Sequence, residues 1–331
     1  MSLNDGAEAV PVNDGAEAVP VNDGAKAVPV DSGAEAVPVN AIVIGAMKSG
    51  TTTLYRDLQR VPGMSIPAKE LDFFQRPAAE VTRSAYDALF SAAEAGSGAG
   101  EHVQCRLDIS TTYSMWPDIA DVPERAAELL DGKARLIYMV RNPIDRAVSH
   151  HHHMTARGAT TAGFEQYLLD DPGVMGFGRY DIQAKRWTSL FGEDSLLVVR
   201  LDDYSSDWAS VAPKILAHLG VPYDITQLDP PAKENATEDA RVFTGRSRQL
   251  AESAVFKAVY RNGIRRVLSD DLRTKIRNTI LPAPPERPAG PESDVLADLV
   301  EQLEPAAAYV AEATGTPKWD LAATAQKLAS V

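Results

Sequence analysis

The chain has 331 residues and a formal net charge of −13. That balance excludes a general nucleic-acid binder, which needs a basic face to displace counterions. The single cysteine, Cys105, excludes an internal disulfide and fits a reducing compartment.

Residues 4–39 are four near-copies of the nine-residue unit NDGAEAVPV; the third carries Lys26 in place of Glu and the fourth opens with Asp31-Ser32. With one Gly, one Pro and no aromatic or leucine per copy, such a segment buries too little apolar surface to offset its ordering entropy. A disordered tail over 1–39 is the expectation, ahead of one α/β domain over 40–331. Residues 1–40 hold seven acidic residues and one lysine, so the remainder carries −7. The acidic N-terminus lacks the apolar core of a secretory signal, and no early apolar run approaches membrane-span length. A cytoplasmic protein with no stable membrane insertion is the corresponding expectation.

"AIVIGA" (Ala41 to Ala46) suits a strand buried on both faces of a parallel sheet. A glycine-flanked loop follows, then a helical pattern from Thr53 to Arg60. "SIPAKELDFF" (Ser65 to Phe74) reads as a short extended piece and loop, and Gln75 to Gly100 as a further loop with a mobile Ala/Gly/Ser segment. Glu101 to Ser110 alternates like a strand. Asp121 to Leu130 opens with an acidic residue and an early proline, as helices do. Ala134 to Val140 is a second buried strand leading into "RNPIDRAVSHHHH", where Pro143 fits the first turn of a helix. Gly158 to Gly178 reads as loop. Arg179 to Phe191 is amphipathic, Ser195 to Leu201 is a third buried strand, and helices follow at Trp208 to Leu219 and Asp294 to Thr314, the latter after a proline-rich connection at Pro282 to Glu292. Strands alternating with helices give an α/β fold: a P-loop-like parallel sheet flanked by helices on both faces.

Chemistry concentrates at two places. A strand that ends in a glycine loop and opens a helix presents backbone amides to an anion, aided by the helix dipole. Gly45 and Gly50 bracket that loop, with Ser49, Thr51 and Thr52 adding hydroxyls. A nucleotide triphosphatase has its lysine after the second glycine; here Lys48 lies inside the loop, and no acidic residue offers an obvious magnesium ligand. The loop alone also suits an ordinary β–α turn with a surface lysine. At the second place, Arg141 ends a buried strand, where open α/β sheets bind ligands, and its guanidinium is shaped for bidentate phosphate contact. Ser149 lies about two turns into the helix that follows. The sequence therefore carries two phosphate sites on one sheet edge.

"KSGTT" after a first strand, with "RNPIDRAVSH" after a later one, resembles the sulfotransferases that use 3′-phosphoadenosine 5′-phosphosulfate (PAPS), in the bacterial and carbohydrate-type branch. The resemblance implies that Lys48, Ser49, Gly50, Thr51, Thr52 and Thr53 hold the 5′-phosphosulfate, and that Arg141 and Ser149 hold the 3′-phosphate. Lys48 then neutralises charge developing on the leaving phosphate. "AKELDFF" resembles the Lys-Glu-x-x-Phe-Phe segment whose glutamate is the catalytic base, which places the base at Glu70. "VFTGRSRQL" resembles a late nucleotide-closing loop and implies Arg246. Three positions depart from the pattern. Thr53 stands where the cytosolic branch has an adenine-stacking Trp, Leu201 where it has a Tyr, and Ile109 where the carbohydrate branch has a Lys.

The implied reaction is direct in-line transfer of a sulfuryl group to a hydroxyl or amine of a small-molecule, glycan or lipid acceptor. PAPS is the donor, and no metal is required. Asp108, Thr112, Tyr113 and His151 are candidates for the acceptor pocket, with His151 the substitute base if Glu70 is not. Residues 150–153 are consecutive histidines, which a helix spreads at about 100° apiece, so they cannot all face one metal ion. His102 and Trp187 read first as structural residues. The competing functions are a P-loop kinase with an altered loop and a non-catalytic nucleotide-binding or scaffold protein.

Overall fold

A computed structural model describes residues 39–97, 103–228 and 293–329. The repeats, His102, Arg246 and the connection at Pro282 to Glu292 lie outside the described residues.

Five parallel strands form one sheet: β1 (Val39–Gly45), β2 (Met64–Ser65), β3 (Cys105–Ile109), β4 (Arg135–Val140) and β5 (Leu196–Arg200). Their order is β2-β3-β1-β4-β5, with Val43 opposite Ile109 on one side of β1 and opposite Ile137 on the other. The central strands are apolar at nearly every position because both faces are covered. Ile42, Ile44, Leu136 and Tyr138 point into one core cluster, and Ala41, Val43, Ile137 and Met139 into a second on the opposite face.

Helices α1 (Thr51–Leu58), α8 (Leu201–Ser206) and α9 (Trp208–Leu219) cover the second face. Within it, the buried Asp57 of α1 accepts from the Tyr204 hydroxyl and, at 3.2 Å, from Trp208 Nε1. On the first face lie α2 (Arg83–Ser97), α3 (Val122–Leu130), α4 (Pro143–Ala156), α5 (Phe164–Asp170), the short α6 (Gly173–Gly176) and α7 (Tyr180–Phe191). Two closing helices join them, α10 (Ser293–Thr314) and α11 (Leu321–Ala329).

Three stretches differ from the sequence expectation. The supposed loop over 75–100 contains α2, whose buried Tyr86 packs on Phe73 and Phe74 and, one turn on, against the buried Phe90. The loop over 158–178 contains α5 and α6, with Phe164, Tyr167 and Leu168 forming a buried stripe. β5 is an edge strand in which only Val199 is buried, and Leu201 opens α8 instead of ending the strand.

Candidate active site

Helices pack on both faces of the sheet, and at its centre β3, β1 and β4 are adjacent. In such sheets ligands bind in the crevice beyond the carboxyl ends of the strands, at the point where strand order reverses. The chain reverses about β1, which pairs with β3 on one side and β4 on the other. One piece of the candidate site lies at the end of each of these three strands.

From β1 comes the loop. Gly45, at φ 147°, lies so close to the turn Thr111–Ser114 that a Cβ would stand 2.0 Å from Ser114 Oγ. Ala46 donates to the Met139 carbonyl at 2.6 Å and Ser49 to the Ala46 carbonyl at 3.2 Å, which curl the loop over the end of β4. Lys48, at φ 68°, and Gly50, at φ 83°, both adopt left-handed backbone. Gly50 also meets α8: a Cβ there would stand 2.4 Å from Leu201 Cδ1. Gly50 caps α1, so the helix begins at Thr51, two residues earlier than its apolar pattern suggests. The amides of its first turn have no intrahelical acceptors. Ser49 is fully buried beside the Tyr180 hydroxyl, and its own hydroxyl has no acceptor or donor in bonding geometry. Thr51 is buried, Thr52 exposed and Thr53 half-buried.

From β4 come Arg141 and the helix α4. Asn142 caps α4 through its side-chain oxygen, which accepts from Ile144 N at 3.0 Å and Asp145 N at 3.4 Å, and its Nδ2 reaches Thr324 of α11 at 2.9 Å. The Tyr180 hydroxyl donates to the Arg141 carbonyl at 2.8 Å. The guanidinium of half-buried Arg141 lowers Asp145, against the larger opposing effect of burial. Ser149 lies buried in the second turn of α4, where the sequence placed it.

Against the end of β3 lies the segment around Glu70, which follows β2 in the chain. Lys69 bridges to Ile109, and Glu70 N donates to the Ile109 carbonyl at 2.7 Å, tying the segment to the end of the strand. Glu70 and Asp72 both have left-handed backbone, at φ 57° and 48°. The Glu70 carboxylate accepts from Thr111 N at 2.7 Å and from Thr111 Oγ1 at 3.1 and 3.2 Å, and forms an ion pair with Lys69. Thr111 belongs to the same turn that packs on Gly45. A single turn therefore braces both the carboxylate and the phosphate loop.

The structure brings Lys48, Ser49, Thr51 to Thr53, Arg141, Ser149 and Glu70 to one sheet edge. It distributes the acceptor-pocket candidates differently. Asp108 and Tyr113 are fully buried and bonded to protein groups, so they lie beneath the surface and do not line a pocket. Thr112 is half-buried, donates to Asp72 Oδ1 at 2.6 Å and receives Gln75 Nε2. His151 is buried between Phe164 and Tyr167, with its Nε2 at 2.9 Å from the Ala162 carbonyl. Its neighbour His150 is held neutral: burial first, then Arg146, with Lys48 among the smaller causes, bring it down to about 3. Among the described residues no cluster of three or more potential metal ligands occurs.

Sequence reasoning missed Thr111, Asn142, Ser110 and Tyr180. Asn142 had a readable signal, an Asn directly before the proline of a helix start. Thr111 had none, because its partner lies 41 residues away.

A glycine loop at a helix start, an arginine at the next strand's end and a clamped carboxylate define an α/β enzyme of the nucleotide-dependent transferase class. The family model described as "Sulfotransferase domain" matches residues 38–278. The chain belongs to the sulfotransferase domain family, and the kinase alternative is not favoured. The bifunctional heparan sulfate N-deacetylase/N-sulfotransferase 2 of Bos taurus is 26% identical over 200 residues, covering 54% of this chain and 22% of that protein. The chain thus spans about a fifth of that relative's length. A crystal structure of a sulfotransferase from Alicyclobacillus acidocaldarius superposes with TM-score 0.54 at 20% identity, covering 86% of this chain and 98% of that one. A mouse sulfotransferase, SULT7A1, solved in complex with PAP, superposes with TM-score 0.44 at 14% identity, covering 84% and 89%.

Proposed function

We propose that this chain moves a sulfuryl group from PAPS to a hydroxyl or amine of a small-molecule, glycan or lipid acceptor, by direct in-line transfer. The observation that carries the reading is the convergence of the glycine loop, Arg141 and Glu70 on the carboxyl ends of three adjacent strands. The orphaned hydroxyl of buried Ser49 fits a phosphate-oxygen partner.

When bound, PAPS supplies an activated sulfuryl group on a phosphate leaving group. Ser49, Thr51, Thr52 and Thr53, with the amides at Gly50 and the start of α1, hold the 5′ side. Lys48 sets a positive charge beside the bond that breaks. Arg141 and Ser149 hold the 3′-phosphate, with Arg246 assigned there by resemblance alone. Glu70 takes the acceptor's proton as its oxygen or nitrogen approaches sulfur. Thr111 holds the carboxylate in line, which suits a reaction that depends on near-contact alignment of donor and acceptor. Thr112, Asp72 and Gln75, half-buried beside Glu70, are the polar groups nearest to hand for orienting an acceptor.

The working domain is residues 40–331 and the repeats of 1–39 are an appendage to it. Buried Cys105, whose thiol burial pushes up to about 12, is an inert core residue consistent with a cytoplasmic setting. Among the described residues no helix is long and apolar enough to cross a membrane.

Calorimetry with 3′-phosphoadenosine 5′-phosphate (PAP), set against ATP with magnesium, tests the reading on wild type and Arg141→Ala. Tight binding of PAP that the substitution weakens is expected. Preference for magnesium-ATP, or indifference to Arg141, overturns it.

A further inference from the structure

Backbone amides can only donate, and three consecutive ones after Glu70 donate to side chains of a single buried group. Asp72 N donates to Ser110 Oγ at 3.0 Å, and Phe73 N and Phe74 N donate to the Tyr113 hydroxyl oxygen at 2.8 and 3.4 Å. Each hydroxyl, having accepted, turns its proton to the same carboxylate: Ser110 Oγ donates to Asp108 Oδ1 at 3.0 Å and Tyr113 to Asp108 Oδ2 at 2.8 Å. Asp108 and Ser110 are wholly buried and Tyr113 is 1% exposed.

The segment so held is one that does not hold itself. Glu70 and Asp72 both sit in left-handed backbone, a conformation that non-glycine residues keep only where the surroundings over-determine it. Glu70 N is fixed at Ile109 and its carboxylate at Thr111. The backbone amides beyond it, from Asp72 to Phe74, are fixed through the two hydroxyls, while Thr112 holds the Asp72 carboxylate and Arg125 the Phe74 carbonyl. We propose that Asp108 is a positioning residue for the transfer reaction, acting through Ser110 and Tyr113 to hold the left-handed segment that aims Glu70. The inference rests on the assignment of Glu70 as the base.

The arrangement suits an ionised carboxylate, because both hydroxyls donate to it and it then accepts at both oxygens. A neutral carboxyl, or an asparagine amide, puts a donor where one of those two acceptors stands, so one hydroxyl must turn its proton elsewhere. Burial raises Asp108 to about 7, with Asp72 and Glu70 pushing the same way and the two hydroxyl bonds opposing. The other titratable groups facing it are Tyr113 and, from α2, Tyr86, both raised well above their ordinary range by burial. The links are therefore complete only above neutrality, and turnover gains an ascending limb near pH 7 that belongs to Asp108.

The test uses the full chain and three readouts: hydrogen exchange of the amides at 72–74, PAP affinity, and release of PAP from PAPS with a simple phenol as acceptor. In Asp108→Asn, faster exchange at 72–74 is expected, with kcat lower by about 10- to 100-fold, as for a misaimed catalytic group. PAP affinity falls far less than kcat, since Asp108 bonds to no residue of the donor loop itself, and the limb near pH 7 disappears. Ser110→Ala and Tyr113→Phe each remove one link and give intermediate losses; they stand in if Asp108→Asn does not fold. Unchanged exchange at 72–74, or wild-type kcat with the pH limb intact, overturns the proposal. Glu70→Gln separates it from the reading beneath: full turnover in that variant removes Glu70 as base, whatever the exchange at 72–74 shows.

Discussion

Thr111 grips Glu70 twice, donating from its amide to Oε2 at 2.7 Å and from its hydroxyl to both carboxylate oxygens at 3.1 and 3.2 Å. The first bond depends only on the backbone, while the second depends on the side chain. Thr111→Val keeps the shape and the amide and removes the hydroxyl. A charge-assisted bond is worth about 1.5–3 kcal/mol, but the remaining amide limits the loss, so kcat is expected to fall about 3- to 10-fold. Glu70→Gln removes the proton acceptor and is expected to cost about 10²- to 10⁴-fold in kcat, the usual range for a general base. Both variants keep wild-type PAP affinity by calorimetry; a loss of affinity in either places Glu70 in donor binding instead.

Arg141 lies just past the end of β4 and Ser149 in the second turn of α4. If they hold a 3′-phosphate, their deletion discriminates among nucleotides. Arg141→Ala is expected to weaken PAP by about 10- to 150-fold, the value of one strong charge-assisted contact. Ser149→Ala is expected to weaken it by about 3- to 10-fold, one hydroxyl bond being set against the bidentate, oppositely charged contact of a guanidinium. Binding of ADP, which lacks the 3′-phosphate, changes little in either variant. Equal losses for PAP and ADP move both residues away from the 3′-phosphate.

What the sequence made legible follows from how local each signal is. β1, β4, α7 and α9 announced themselves through runs or periods of apolar residues, since burial on a face writes itself into the pattern. The two candidate anion-binding segments were legible for the same reason: each is a strand, a turn and a helix start within some fifteen residues. Helix α2 was missed because alanine, serine and glycine dominate its second half, and Tyr86, which anchors it, finds its partners Phe73 and Phe74 outside the helix. Asp108 and Tyr113 were read as pocket residues because polar groups after a strand often are. That they turn inward depends on amides of residues 73 and 74, some forty positions away, which no local pattern encodes.

Gly50 and Gly158 share a left-handed backbone, at φ 83° and 70°, but differ in their neighbours. A Cβ at Gly50 would stand 2.4 Å from Leu201 Cδ1, whereas at Gly158 nothing lies within 4 Å. Gly158→Ala therefore incurs backbone strain alone, about 1–2 kcal/mol. Gly50→Ala adds a clash that must push α8 away from the loop, for about 1–3 kcal/mol more, and should weaken PAP where Gly158→Ala does not. Thermal unfolding and PAP calorimetry on the two variants separate conformational strain from close packing. Equal effects in the two show that Leu201 yields without cost.

Asp108 also makes the fold's stability depend on pH in a direction opposite to that of a salt-bridged acid. Its carboxyl is raised from the ordinary 3.8 to about 7 by burial, so the folded chain holds a proton that the unfolded chain has already released. Where the folded state binds more protons, stability falls as pH rises. The contribution is therefore full below about pH 4, declines by up to about 1.4 kcal/mol per pH unit between 4 and 7, and is flat above. The total is at most about 4 kcal/mol by the same conversion. Asp57, Asp72 and Asp145 are raised by burial too and add the same sign of slope, but they are common to wild type and Asp108→Asn. The stability of wild type relative to Asp108→Asn, from denaturant midpoints at pH 5 and pH 8, is expected to be higher at pH 5. A difference that is level across that range, or reversed, shows that Asp108 is ionised throughout. The expected result places the costly ionised state of this carboxylate in the pH range where it completes the hydroxyl links to the Glu70 segment, so that stability is lost where alignment is gained.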